Sequence, residues 1–144
     1  MLTSLIGTWK VLAVKYISGA EVSRVDPALP GIFIFTETHY SMTWMPTGKK
    51  QEDYDDLWHP TDAEKILSYN AIVTNAGRYE LSESKLTTFV EVAKTPAFVG
   101  GKAIYSCEIT GNEMHLEILD NLAHDGTRDE AYLKFRTILS LRRI

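Results

Sequence analysis

The stretch Gly7-Thr8-Trp9-Lys10-Val11-Leu12-Ala13-Val14 decides how the rest of this chain is read. It is rich in β-branched and aromatic residues and predicts a strand over 8–16. The far end answers with a second apolar run, Ile138-Leu139-Ser140-Leu141-Arg142-Arg143-Ile144. Alternate residues of a strand share a face. Leu133, Phe135, Thr137, Leu139, Leu141 and Arg143 therefore fall together, so Arg143 continues the apolar side. Arg142 falls with Lys134 and Arg136 on the solvent side.

Between these ends the pattern is mostly that of strands. Residues 18–31 read as turn and loop. A short apolar strand over 32–36 turns tightly around Thr36-Glu37 into a partner over 38–45, where alternation separates Tyr40, Met42 and Trp44 from His39, Ser41 and Thr43. Residues 46–60 are polar and acidic and read as a long loop. Thr61 then reads as a helix N-cap, with Glu64 completing a capping box. The helix runs for about three turns, with Ile66, Tyr69, Asn70 and Val73 on one face, and ends at Asn75-Ala76-Gly77. Strands follow over 78–82 and 85–94. A hairpin pairs 103–110 with 113–119 across Gly111-Asn112, and a long strand runs over 130–144.

Eight or so strands joined by short turns, with no βαβ alternation, exclude a parallel α/β sheet. An antiparallel meander of this size closes on itself or packs as two sheets. A barrel of eight strands is wide enough for one small ligand.

With 144 residues, 44% apolar and 24% charged, the chain reads as one soluble domain with a sizeable core. The net charge of −4 gives no reason to expect nucleic acid or an anionic membrane as a partner. The single cysteine, Cys107, excludes an internal disulfide and reads as a small buried hydrophobe. Residues 1–6 lack the features of a secretion signal, so a cytoplasmic location is expected. His39, His59, His115 and His124 show no metal spacing, and neither a metal nor another cofactor is expected. A homodimer stays open. No nucleophile elbow, phosphate loop or dinucleotide fingerprint is present.

Several segments together resemble the lipocalin-like domain family of small bacterial and fungal barrels. They are Leu5-Ile6-Gly7-Thr8-Trp9-Lys10-Val11, Pro30-Gly31-Ile32-Phe33-Ile34-Phe35-Thr36, the helix before Gly77-Arg78-Tyr79, the hairpin Ile109-Thr110-Gly111-Asn112-Glu113-Met114-His115-Leu116, and Leu139-Ser140-Leu141-Arg142-Arg143. The resemblance covers nearly the full length. It implies an all-β, antiparallel up-and-down barrel of about eight strands, with one short helix after the third strand and a single domain over 1–144. It also implies a closure device: Trp9 plugs one end and Arg143 of the last strand stacks on it. An ordinary core Trp and a solvated basic tail are the alternative.

On the barrel reading, Tyr40, Met42, Trp44, Tyr79, Phe89, Tyr105, Met114 and Phe135 line the interior and hold a small hydrophobic molecule. A filled core without a cavity is the alternative. Trp58 and His59 lie in the long loop; either the loop covers the barrel mouth and both touch the ligand, or Trp58 packs the helix onto the barrel. Glu91 shares a face with Phe89. If that face points inward, Glu91 is a desolvated carboxylate suited to proton transfer; if Val90 and Val92 point inward, Glu91 faces water.

The family's members look like carriers or biosynthetic enzymes. Three functions follow: a carrier or sensor of an apolar ligand; a cofactor-free isomerase or cyclase acting on a hydrophobic natural-product intermediate, with Glu91, His59 and tyrosines such as Tyr40 or Tyr105 moving protons; or a filled barrel acting through its surface.

Overall fold

A computed structural model describes residues 2–144. The elements are α1 (Leu2–Leu5), β1 (Gly7–Ser18), β2 (Glu21–Val25), β3 (Ile32–Phe35), β4 (His39–Trp44), α2 (Asp62–Ala71), β5 (Val73–Ser82), β6 (Lys85–Ala93), β7 (Lys102–Thr110), β8 (Glu113–Leu122) and β9 (Arg136–Arg143). Short 3₁₀ turns occupy Pro96–Phe98 and Tyr132–Lys134.

The strands form one antiparallel sheet that closes where β1 pairs with β9, from Trp9↔Arg143 to Ile17↔Arg136. Eight strands make the barrel. β2 is a ninth strand: it pairs with Val14–Ser18 of β1, while β3 pairs with Gly7–Lys10 on the same edge. This addition puts the helix after the fourth strand rather than the third. Four of the five β2 residues are exposed, so no apolar face marks the segment in the sequence.

Alternation sorts the barrel faces. Trp9, Val11 and Val14 of β1, Phe33 and Phe35 of β3, Tyr40, Met42 and Trp44 of β4, and Leu139 and Leu141 of β9 are buried in one core. Each apolar side chain removed from water in this way contributes about 2 kcal/mol. Bulges at Val11/Ala13, Ala76/Gly77 and Ile104/Tyr105 bend the strands around the closed sheet. Gly77 is required at its bulge, because a Cβ there would lie 2.0 Å from the Phe89 carbonyl oxygen.

Two segments depart from the expected elements. The capping box forms, with Thr61 Oγ1 accepting from Glu64 N–H and Glu64 Oε1 accepting from Thr61 N–H. The helix nevertheless stops at Ala71, and residues 73–77 belong to β5. Asn75, Gly77 and Tyr79 are buried at period two, and pairing with β4 outweighs one further helical turn. Residues 130–135 are not strand; β9 begins at Arg136, after the turn at Tyr132–Lys134.

Candidate functional site

The two ends of the barrel are built differently. At one end Trp9 is fully buried. Its indole N–H donates to the Leu5 carbonyl at 2.9 Å. The Arg143 guanidinium lies 4.3 Å from the indole ring centre, stacked by cation–π attraction. It donates to the Ile6 carbonyl at 2.6 Å and to the Ser4 carbonyl. Gly7 makes room for it: its φ is +141°, and a Cβ would sit 2.6 Å from Arg143 Nη1. Arg142 points away and pairs with Glu113 at 3.4 Å.

The opposite end opens into a cavity of about 390 Å³. Its deeper walls come from Phe33, Met42, Trp44, Tyr105, Ile118 and Leu139 on five strands. Its rim is built from Val73–Asn75, Ala93–Thr95, Ala97–Phe98, Asn121–Ala123 and the segment from Thr127 to Tyr132. The rim cations are already engaged. Lys94 donates to the Tyr69 and Ile72 carbonyls and lies over the Tyr69 ring. Arg128 pairs with Asp120 at 2.7 Å.

A few polar groups sit in these apolar surroundings. Tyr40 donates to Asn75 Oδ1 at 2.6 Å, and burial pushes its phenol up to about 12. The Tyr105 hydroxyl reaches the Met42 sulfur, a weak acceptor, at 3.9 Å, and burial raises its pKa as well. Thr88 and Thr137 are buried, and neither hydroxyl has an aligned hydrogen-bond partner; the same holds for the Tyr132 hydroxyl. Both phenols are thus protonated, neutral donors near pH 7.

The lipocalin-like domain family matches residues 6–142 of this sequence. The chain belongs to the lipocalin-like domain family. Solved structures similar to this lipocalin-like barrel include a lipocalin-like protein from Bacteroides uniformis, 14% identical, covering 98% of this chain and 99% of that one with a TM-score of 0.48. An uncharacterized protein from Bacteroides eggerthii is 12% identical and covers 97% of this chain and 99% of that one, with a TM-score of 0.47. No curated protein matches the chain.

The lipocalin-like barrel brings Met42, Trp44 and Tyr105 together on the cavity wall, with Tyr40 behind them through Asn75. Tyr79 and Met114 lie deeper, in the closed half. Tyr79 packs edge-on against Phe35 and donates to the Thr36 carbonyl at 2.5 Å. Met114 is fully buried and accepts from the Cys107 thiol at 3.7 Å. Burial pushes that thiol up to about 11, so Cys107 is an inert core residue. Phe135 stands at the mouth between Tyr16 and Tyr132, lining a neighbouring groove.

Four candidates lie on the outer surface. Phe89 and Glu91 occupy the outer face of β6, because Leu86, Thr88 and Val90 take the inward positions. Glu91 is 57% exposed and faces His39 at 3.9 Å. Trp58 is 86% exposed and His59 81% exposed, with His59 held by Asp56 at 3.2 Å. Their loop folds against α2 instead of over the mouth: Tyr54 bonds Ser68 at 2.6 Å and Asp55 N–H donates to Glu64 at 3.1 Å. Trp58 therefore neither covers the cavity nor packs the helix onto the barrel.

Phe33, Asn75, Ile118 and Tyr132 line the cavity without having been singled out in the sequence. Phe33 sits in Ile32-Phe33-Ile34-Phe35, where every residue is apolar and no alternation selects a face. Among the described residues, no group of three or more His, Cys, Asp or Glu side chains is placed to hold a metal ion. No helix among them is long and apolar enough to cross a membrane.

Proposed function

We propose that this lipocalin-like domain holds a small, mainly apolar molecule in the open half of its barrel, as a carrier or sensor. The observation that supports this most directly is the cavity of about 390 Å³, walled by Phe33, Met42, Trp44, Ile118 and Leu139 and open at one end. Cavities of this size with few polar groups suit one small ligand. Met42 gives the wall an adaptable surface, and Trp44 gives it a flat one. Against the isomerase or cyclase reading, Glu91 and His59, its carboxylate and imidazole, are on the outer surface.

The test is native mass spectrometry of freshly purified protein, with extraction of any bound molecule, beside titration with a hydrophobic fluorescent probe. Retention of an apolar molecule, or probe uptake that Ala93→Trp abolishes at unchanged fold, is the expected result. Ala93 lines the rim and is only half-buried, so an indole there obstructs the cavity without displacing core. A clean apo mass together with no probe uptake would overturn the reading.

A further inference from the structure

Hydroxyl groups deep inside proteins are almost always paired, because an unpaired one forfeits the hydrogen bonds it made to water. This barrel departs from that rule around its cavity. Tyr132 lines the cavity with a buried hydroxyl that has no well-aligned partner; its hydroxyl neighbour is Thr137, itself without an aligned partner. Tyr105, buried on the cavity wall, has the weakly accepting Met42 sulfur and the neighbouring Thr88 hydroxyl, which is not well aligned with it. Tyr105 and Tyr132 line the same cavity. Asn75 accepts from Tyr40 through its oxygen, leaving its NH₂ as a third donor on the wall.

We infer that the ligand is an apolar molecule bearing one uncharged oxygen acceptor, such as a ketone or ether, seated between the hydroxyls of Tyr105 and Tyr132 and the amide of Asn75. A pure hydrocarbon would leave these groups unpaired. A carboxylate would enter an apolar interior with no cation at that depth, since Lys94 and Arg128 belong to the rim and are engaged with carbonyls and with Asp120. Burying an unpaired carboxylate costs far more than burying a ketone. The phenols support the same choice, being neutral donors at physiological pH. This inference rests on the cavity reading above and adds the chemical class of the ligand.

Three probes with one ring system isolate the head group: 2-acetylnaphthalene, 2-ethylnaphthalene and 2-naphthoate, each titrated calorimetrically into the whole protein. The expected result is that the ketone binds about tenfold tighter than the hydrocarbon, the worth of one added neutral hydrogen bond in a dry site. In Tyr132→Phe and in Tyr105→Phe that preference shrinks to about twofold while the hydrocarbon keeps its affinity, a pattern that a collapsed cavity would not give. Equal affinity of ketone and hydrocarbon for the wild type overturns the inference and leaves the carrier reading standing. So does tightest binding of the carboxylate, which would move the head group to Arg128 at the rim. Failure of all three to bind overturns both.

Discussion

The two ends of this barrel use the same sheet and treat polar groups in opposite ways. At the closed end every donor that matters has an acceptor: the Trp9 indole, the Arg143 guanidinium and the Tyr79 hydroxyl all reach main-chain carbonyls. Around the cavity the hydroxyls of Thr88, Tyr132 and Thr137 have no well-aligned partner. A satisfied, dry plug stabilises the fold. Unsatisfied groups around a cavity cost stability in the empty protein and reward a ligand that completes them. On the proposed carrier reading, stability and recognition are thus separated along the barrel axis.

Substitutions at the two ends should separate accordingly. The largest effect is expected from Trp9→Ala, which empties the plug and removes its hydrogen bond; the loss, read by chemical denaturation, should be about 4 kcal/mol. Arg143→Leu comes next, at about 2 kcal/mol, because the Ile6 and Ser4 carbonyls lose their donor. Arg142→Leu, one position away, should cost far less, its partner Glu113 being exposed. If Arg142 matters as much as Arg143, the plug account is wrong.

Tyr40 stands between the two ends. Tyr40→Phe should cost about 1 kcal/mol at neutral pH, for one hydrogen bond. It should also flatten the alkaline side of the stability curve. The folded phenol titrates near 12 against 10.0 for the ordinary group. Below pH 10 both states keep the proton; above it the unfolded chain releases the proton first, so stability falls as pH rises towards 12. Denaturation midpoints across pH 9–11 measure the difference between wild type and variant. A wild-type curve flat over that range would contradict a buried phenol.

The smallest stability effects belong to the open end and the outer face. Tyr132→Phe should change stability by about 0.5 kcal/mol or less, in either direction, since its hydroxyl makes no well-aligned hydrogen bond to lose. Glu91→Gln should fall within the same limit and leave probe binding unchanged, as expected for an exposed group on the barrel's outer face. A loss of binding in Glu91→Gln would return that carboxylate to the functional site.

What was legible in the sequence follows this division. The closed end was readable because period-two alternation ran unbroken through Thr137, Leu139, Leu141 and Arg143. β6 was not, because Phe89/Glu91 and Val90/Val92 offered both faces an apolar residue, and the inward face carries a polar Thr88. β2 escaped because Glu21-Val22-Ser23-Arg24-Val25 lies on the barrel's margin and buries almost nothing. The cavity residues Asn75 and Tyr132 were hidden for a related reason. Asn75 looked like a helix stop and Tyr132 like part of a strand, and only the closed sheet brings them to one space. The prominent Trp58 misled in the other direction: an aromatic in a long loop invites a role that its exposure does not support.

The pairing of β1 with β9 has a consequence for how the protein acquires its shape. Trp9 meets Arg143, and the Ile144 N–H reaches the Thr8 carbonyl at 3.0 Å. Residues 4–9 and 143–144 therefore lie side by side, and contacts of such sequence separation form late and slowly. During synthesis the first strand waits with an open edge until the final eight residues of the sheet emerge from the ribosome. That adjacency also makes the order of strands negotiable. A short linker joining the two ends, with new termini cut between Gly48 and Asp53, would give a circular permutant with an unchanged cavity and an earlier seal.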